Sequence, residues 1–142
     1  MAEFEKGQIF LDLKATNFDH PEGKSKYFLA MNDVNDEDDL IICFSINTEH
    51  RLDLYNVGCN AKPKAKYILI PGLHPEIKKH SYMLMNTTCQ YSFGELINDS
   101  KIKLFNEKLS DEKLRQINNC IDKDSIVVKH LNIIKEAFKI KR

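Results

Sequence analysis

Apolar and polar positions alternate with a period of two through most of the first two thirds of the chain, and with a helical period near the C-terminus. Gln8-Ile9-Phe10-Leu11-Asp12-Leu13 places Ile9, Leu11 and Leu13 on one face and predicts a strand. Lys14 to Ser25 is polar and carries Pro21 and Gly23, which predicts a loop. Lys26 to Asn32 reads as a second strand, Asp33 to Asp39 as an acidic turn, and Leu40 to Ile46, apolar on both faces, as a central third strand. Thr48 to Lys66 is irregular, with a loop over Gly58 to Lys66. Tyr67 to Ile70, Ser81 to Met85 and Thr88 to Ser92 complete the strands, separated by the loop at Pro71-Gly72 and His74-Pro75-Glu76 and by Asn86-Thr87 as a turn.

The period changes after residue 109. Ser110 is an N-cap candidate followed by Asp111 and Glu112 in the first turn, and Leu114, Ile117 and Ile121 share a face. Asp124 or Ser125 would cap a second helix reaching Lys141, with Val127, Leu131, Ile134 and Phe138 as its apolar stripe. These elements predict a single α+β domain over 1–142. A strand-rich part occupies about 6–105, of the small-barrel or strongly bent-sheet kind, and a helical pair occupies about 110–141.

Composition limits the function classes. The chain has 142 residues, enough to bury a core without metal or disulfide support. Lys plus Arg and Asp plus Glu are both 21, so bulk charge does not drive nucleic-acid coating, although a local basic groove is compatible with the uneven distribution. Cys43, Cys59, Cys89 and Cys120 are widely spaced, with no C-x-x-C pair. They are expected to be free thiols in a reducing compartment, hence a cytoplasmic protein. Met1 to Gly7 carries no apolar signal region, and no apolar run is long enough for a membrane span.

No histidine spacing fits a zinc site, so the histidines, including His74 and His80, read as surface residues, and no metal or other cofactor is expected. Cys43 and Cys120 read as core residues and not as nucleophiles. No glycine-rich phosphate loop occurs. Each tyrosine reads as a packing residue before a base-stacking one.

One constellation carries chemistry. His20, Lys24 and Lys26 fall in and after the first loop; Ser45, Thr48, His50 and Arg51 end and follow the third strand. Together they offer cations, hydroxyls and imidazoles. Metal-independent RNA cleavage asks for those groups: a base for the 2′-hydroxyl, an acid for the leaving 5′-oxygen, and a cation for the phosphorane.

The order of several short motifs over about residues 6–122 resembles the MazF/PemK/Kid toxin family. Lys6-Gly7-Gln8-Ile9-Phe10 resembles its opening strand. Glu22-Gly23-Lys24-Ser25-Lys26-Tyr27 through Asn32-Asp33 resembles its second, arginine-bearing strand ending in Asn-Asp, with Lys26 at the arginine and Tyr27 where the family has proline. Leu40 to Thr48 resembles the strand that ends in a hydroxyl residue, Ser45 or, by preference, Thr48. Ser81 to Thr88 is similar to a later strand, and Leu109-Ser110-Asp111-Glu112-Lys113-Leu114-Arg115-Gln116-Ile117 to the closing helix. The resemblance implies an SH3-like barrel with C-terminal helices, a homodimer, endonucleolytic cleavage of single-stranded RNA without a cofactor, and an antitoxin partner. It places Lys26 at the family's arginine and Ser45 or Thr48 at its hydroxyl; joined to the constellation above, Lys26 or Arg51 would stabilise the phosphorane, Thr48 would position the scissile phosphate, His50 or His20 would serve as base or acid, and His20, Lys24 and Ser45 would bind substrate. A non-catalytic barrel that binds protein or nucleic acid is the rival expectation.

Overall fold

In the computed structural model, residues 3–16 and 21–139 are described. The strands are β1 (Gln8–Ala15), β2 (Lys24–Ala30), β3 (Leu40–Thr48), β4 (Gly58–Asn60), β5 (Lys66–Leu69), β6 (Ser81–Leu84), β7 (Cys89–Ser92) and β8 (Ile102–Lys108). The α-helices are α1 (Phe93–Asn98), α2 (Asp111–Cys120) and α3 (Val128–Ala137). A 3-10 turn spans Leu52–Leu54.

Every strand pairing is antiparallel, in the order β4-β5-β6-β3-β2-β1-β8. β3 is the pivot: Leu40 to Cys43 pair with β7, while Asn47 and Thr48 pair with β6. One nine-residue strand therefore serves two neighbours on the same edge, which bends the sheet. The sheet is nevertheless open, with β4 and β8 at its ends, so the SH3-like barrel expected from the sequence does not close. The coarser α+β class holds.

Strand alternation sends successive side chains to opposite faces, and both faces are covered. Ile9, Leu29, Ile42, Phe44, Tyr67, Leu69 and Met83 meet Leu114, Ile117 and Ile134 of the last two helices. Phe10, Phe28, Ala30, Ile41 and Cys43 meet Phe4, Val34, Phe93 and Leu96 on the other side. There Phe10 and Phe28 stack at 5.3 Å, and the Tyr91 ring stands edge-on to both. The Tyr91 hydroxyl donates to Asp12 at 2.8 Å. Burial, and then that bond, push its pKa far up.

Gly7 sets the junction between β1 and α2. It has φ +94°, and a Cβ there would lie 2.9 Å from Leu114 Cδ1, so a side chain would meet both strain and the helix. Ser110 caps α2 as its sequence predicts, accepting from the Lys113 N–H at 3.2 Å.

α3 departs from expectation. It starts at Val128, and Val127, its capping residue, is 58% exposed, so the stripe begins one turn later. Ser125 is not the cap: its hydroxyl donates to Asp122 instead. Ile134 is 2% exposed and carries the anchoring, with Leu131 and Phe138 half-buried beside it. Ile134→Val is expected to cost ~1 kcal/mol, the usual loss for one buried methyl. Val127→Ala should leave the urea midpoint unchanged, and equal shifts for the two would contradict this packing.

The four-thiol expectation is corrected. Cys59 and Cys120 form a disulfide, their Cα atoms 5.6 Å apart where α2 lies over β4. A separation of 61 residues hides such a pair from spacing rules. Cys43 and Cys89 are free and face each other across β3 and β7; burial raises both thiol pKa values. No helix among the described residues is long and apolar enough to cross a membrane.

Candidate functional site

β2 and β3 are neighbours, with Tyr27 opposite Ile46 and Phe28 opposite Ser45. This register decides which predicted residues can cooperate. Tyr27, Ile46 and Thr48 share the face that leads into the helix-covered core. Lys26, Phe28 and Ser45 share the other. Lys26, at the arginine position of the resemblance, is thus separated from Thr48 by the sheet and sits opposite Asp12 on β1. Lys24 is exposed at the start of β2. His50 is exposed just past β3. Arg51 is exposed as well, and its guanidinium is engaged by both carboxylate oxygens of Asp53, at 3.3 and 3.2 Å. His20 lies outside the described residues.

Thr48 does border a cleft. A cavity of about 290 Å³ opens between the end of β3 and the 71–80 loop, floored by Ile9, Ile46 and Ile77 and walled by Tyr27, Thr48, Glu76, Lys78, Lys79 and Ser81. The Thr48 hydroxyl is exposed and makes no hydrogen bond to a described residue. Ser81 donates to the carbonyl of Lys79 at 2.9 Å. Across the cleft, the Tyr27 hydroxyl donates to Glu76 Oε1 at 3.0 Å. Burial first, then that bond and the carboxylate's charge, raise the Tyr27 pKa and keep the phenol protonated. Lys78 and Lys79 add two cations.

His74, expected at the surface, is 2% exposed and positions this wall. Its Nδ1 accepts from the Glu76 N–H at 3.0 Å, which leaves Nε2–H to donate to the Glu107 carbonyl at 2.9 Å. The two bonds together fit the Nε2–H tautomer, and the ring ties the loop to β8. Glu76 and Tyr27 are 49 residues apart, and only the strand order brings them together. The one sequence signal was the His74-Pro75-Glu76 punctuation, which marks a loop without saying what it faces.

A second cluster is structural. Lys66 Nζ lies 3.1 Å from Glu49 Oε2 and stands between two tyrosine rings, 4.2 Å from the centroid of Tyr55 and 4.1 Å from that of Tyr82. The two side chains are 17% and 4% exposed. Burial pushes the Glu49 pKa up, but the Arg51 N–H and the bond and charge of Lys66 outweigh it and hold the carboxyl below 4.5. For Lys66, burial acts downward and is outweighed by Tyr55 and Glu49, so its pKa is raised. The stabilisation is therefore complete between the ordinary carboxyl and ammonium values. It is lost as pH falls through the lowered Glu49 value, and again as pH rises through the raised Lys66 value. Lys66→Met strands a buried carboxylate and is expected to cost ~3 kcal/mol at pH 7. Repeating the melt in acid, with Glu49 protonated, should shrink that difference; a loss equal at both pH values would contradict the pairing.

Among the described residues no three potential metal ligands converge. No protein-family model matches this sequence, and no curated protein matches it either.

Proposed function

We propose that this chain is a metal-independent endoribonuclease acting on single-stranded RNA, as the MazF/PemK/Kid resemblance implies. In this reading its sheet is an opened relative of the SH3-like barrel, it works as a homodimer, and an antitoxin protein restrains it. The observation that supports catalysis is the cleft itself: a hydroxyl bonded to no described residue, two lysines in the lining and a carboxylate held by a phenol at one cavity.

In this mechanism Glu76 removes the proton of a 2′-hydroxyl. The alkoxide attacks the adjacent phosphorus, and the bond to the 5′-oxygen breaks. Attack and departure are in line, so the acid must stand across the phosphate from the base. The Tyr27 phenol, bonded to Glu76, is on the wrong side and serves to orient the carboxylate. The leaving oxygen takes its proton from Lys78 or Lys79, which also neutralise the phosphorane. Thr48 donates to a non-bridging oxygen. Lys24, Lys26 and Ser45, on the other side of the sheet, meet RNA only if the strand wraps the edge.

The rival, a non-catalytic binding module, has specific support: Lys26 faces away from Thr48, and Arg51 is held by Asp53. Incubating single-stranded RNA with the protein in excess EDTA separates the two readings. Cleavage to fragments with 2′,3′-cyclic phosphate and 5′-hydroxyl ends is expected. RNA that is bound but uncut between about pH 6 and 9 overturns the enzyme reading in favour of the module.

A further inference from the structure

The last two helices leave a groove between them, apolar in its floor and basic at its rim. One end, about 560 Å³, runs from Lys6 past Leu114 and Arg115 to Phe138. The other, about 830 Å³, runs past Ile121, Leu131, Ile134 and Lys135. Five cations line the two ends, Lys6, Arg115, Lys123, Lys135 and Lys139, against the carboxylates of Asp111 and Glu136. None of the five cations is ion-paired to a described residue. Lys6 Nζ lies over the Phe138 ring at 5.6 Å. Leu131 and Phe138 are only half-buried, so the floor offers two large side chains to an incoming apolar group.

This arrangement discriminates between ligands. Unpaired cations around an apolar trough favour carboxylates flanking aliphatic anchors, the pattern of an acidic amphipathic helix in a groove. Single-stranded nucleic acid also seeks cations, but it needs flat aromatic faces for its bases. Here the floor is aliphatic apart from Phe138, and Lys6 already covers one face of that ring. α3, which supplies one wall, lies beyond residues 6–122, whereas α2 and Lys6 lie within them, so the resemblance covers one wall and the groove as a whole depends on the added helix.

We propose that the α2–α3 groove docks an acidic amphipathic segment of a partner protein, its apolar residues against Leu131 and Phe138 and its carboxylates against Arg115, Lys123 and Lys135. The proposal stands independently of the ribonuclease reading. Its test uses the full chain and a fluorescent helical peptide of about 18 residues (five turns) with leucines on one face and Glu and Asp elsewhere. An isomer of the same composition with scattered leucines and a uridine oligonucleotide are the comparisons, at about 0.15 M salt. The patterned peptide is expected to bind at least about tenfold tighter than its isomer. Arg115→Glu with Lys135→Glu, both exposed positions, should weaken it by about tenfold or more, as should Phe138→Ala. Equal binding of the two peptides, or affinity unchanged by the double charge reversal, overturns the proposal. If the charge reversal abolishes binding of the oligonucleotide and spares the peptide, the groove is a nucleic-acid face instead.

Discussion

Glu76→Gln is expected to slow RNA cleavage by ~10²–10⁴-fold, the usual contribution of a positioned general base, while the protein melts where the native chain does. The expectation rests on geometry. Glu76 is held from two sides, by the Tyr27 hydroxyl at 3.0 Å and through the loop that His74 fixes to β8. Glutamine keeps the shape and can still accept from Tyr27, but it cannot take a proton. Tyr27→Phe removes only the orienting bond and should cost less. Thr48→Ala should lower kcat without changing stability, because its hydroxyl is exposed and bonded to no described residue. Imidazole is the side chain that ordinarily titrates between pH 5 and 8. Full activity in Glu76→Gln, combined with loss of cleavage in His50→Ala, would move the base to that histidine.

Opening the Cys59–Cys120 bridge is expected to lower stability by about 4 kcal/mol. The two cysteines are 61 residues apart, and closing a loop of that length removes roughly that much chain entropy from the unfolded state. For a chain of this size the loss corresponds to a fall in Tm of about 8–16 °C. Cys59→Ser and a dithiol reductant should produce the same shift, and reductant should do nothing further to the variant. The helix still buries Leu114 and Ile117 without the bond, so the reduced protein should stay folded. Titration of the denatured, unreduced protein should count two thiols. Four thiols and a Tm indifferent to reductant would return the chain to the all-thiol state that its cysteine spacing predicts.

Legibility followed the range of the interactions. β1, β2, β3, β5, β6 and β7 were readable within two residues or so, because alternation and Gly/Pro punctuation are local. So was the α2 start, since Ser110 and its two acidic followers act within one turn. α1 and β8 were missed. Phe93-Gly94-Glu95-Leu96-Ile97-Asn98 is too short to display a helical period, and β8 alternates poorly because as an edge strand it has only Ile102 and Phe105 partly covered. β4, three residues inside a stretch read as irregular, owes its existence to pairing with β5.

The candidate site was half legible for the same reason. The end of β3 was marked by its hydroxyls and charges, and Thr48 does border the cleft. The face on which Lys26 falls depended on the β2–β3 register, which no local pattern reveals. The partner wall came from the loop before β6. His74 looked like a loop histidine because its two hydrogen bonds run to Glu76 and to a carbonyl 33 residues away.

Cleavage through the 2′-hydroxyl is the centre of the proposed function, and one substrate tests it most directly: an RNA with a single 2′-deoxy sugar on the 5′ side of the mapped cut, compared with its all-ribose parent in EDTA. The deoxy substrate is expected to bind as well as the parent and to resist cleavage at that site, with cutting at other sites unaffected. Cleavage of both at the same rate would contradict the account, because the nucleophile would then come from outside the substrate.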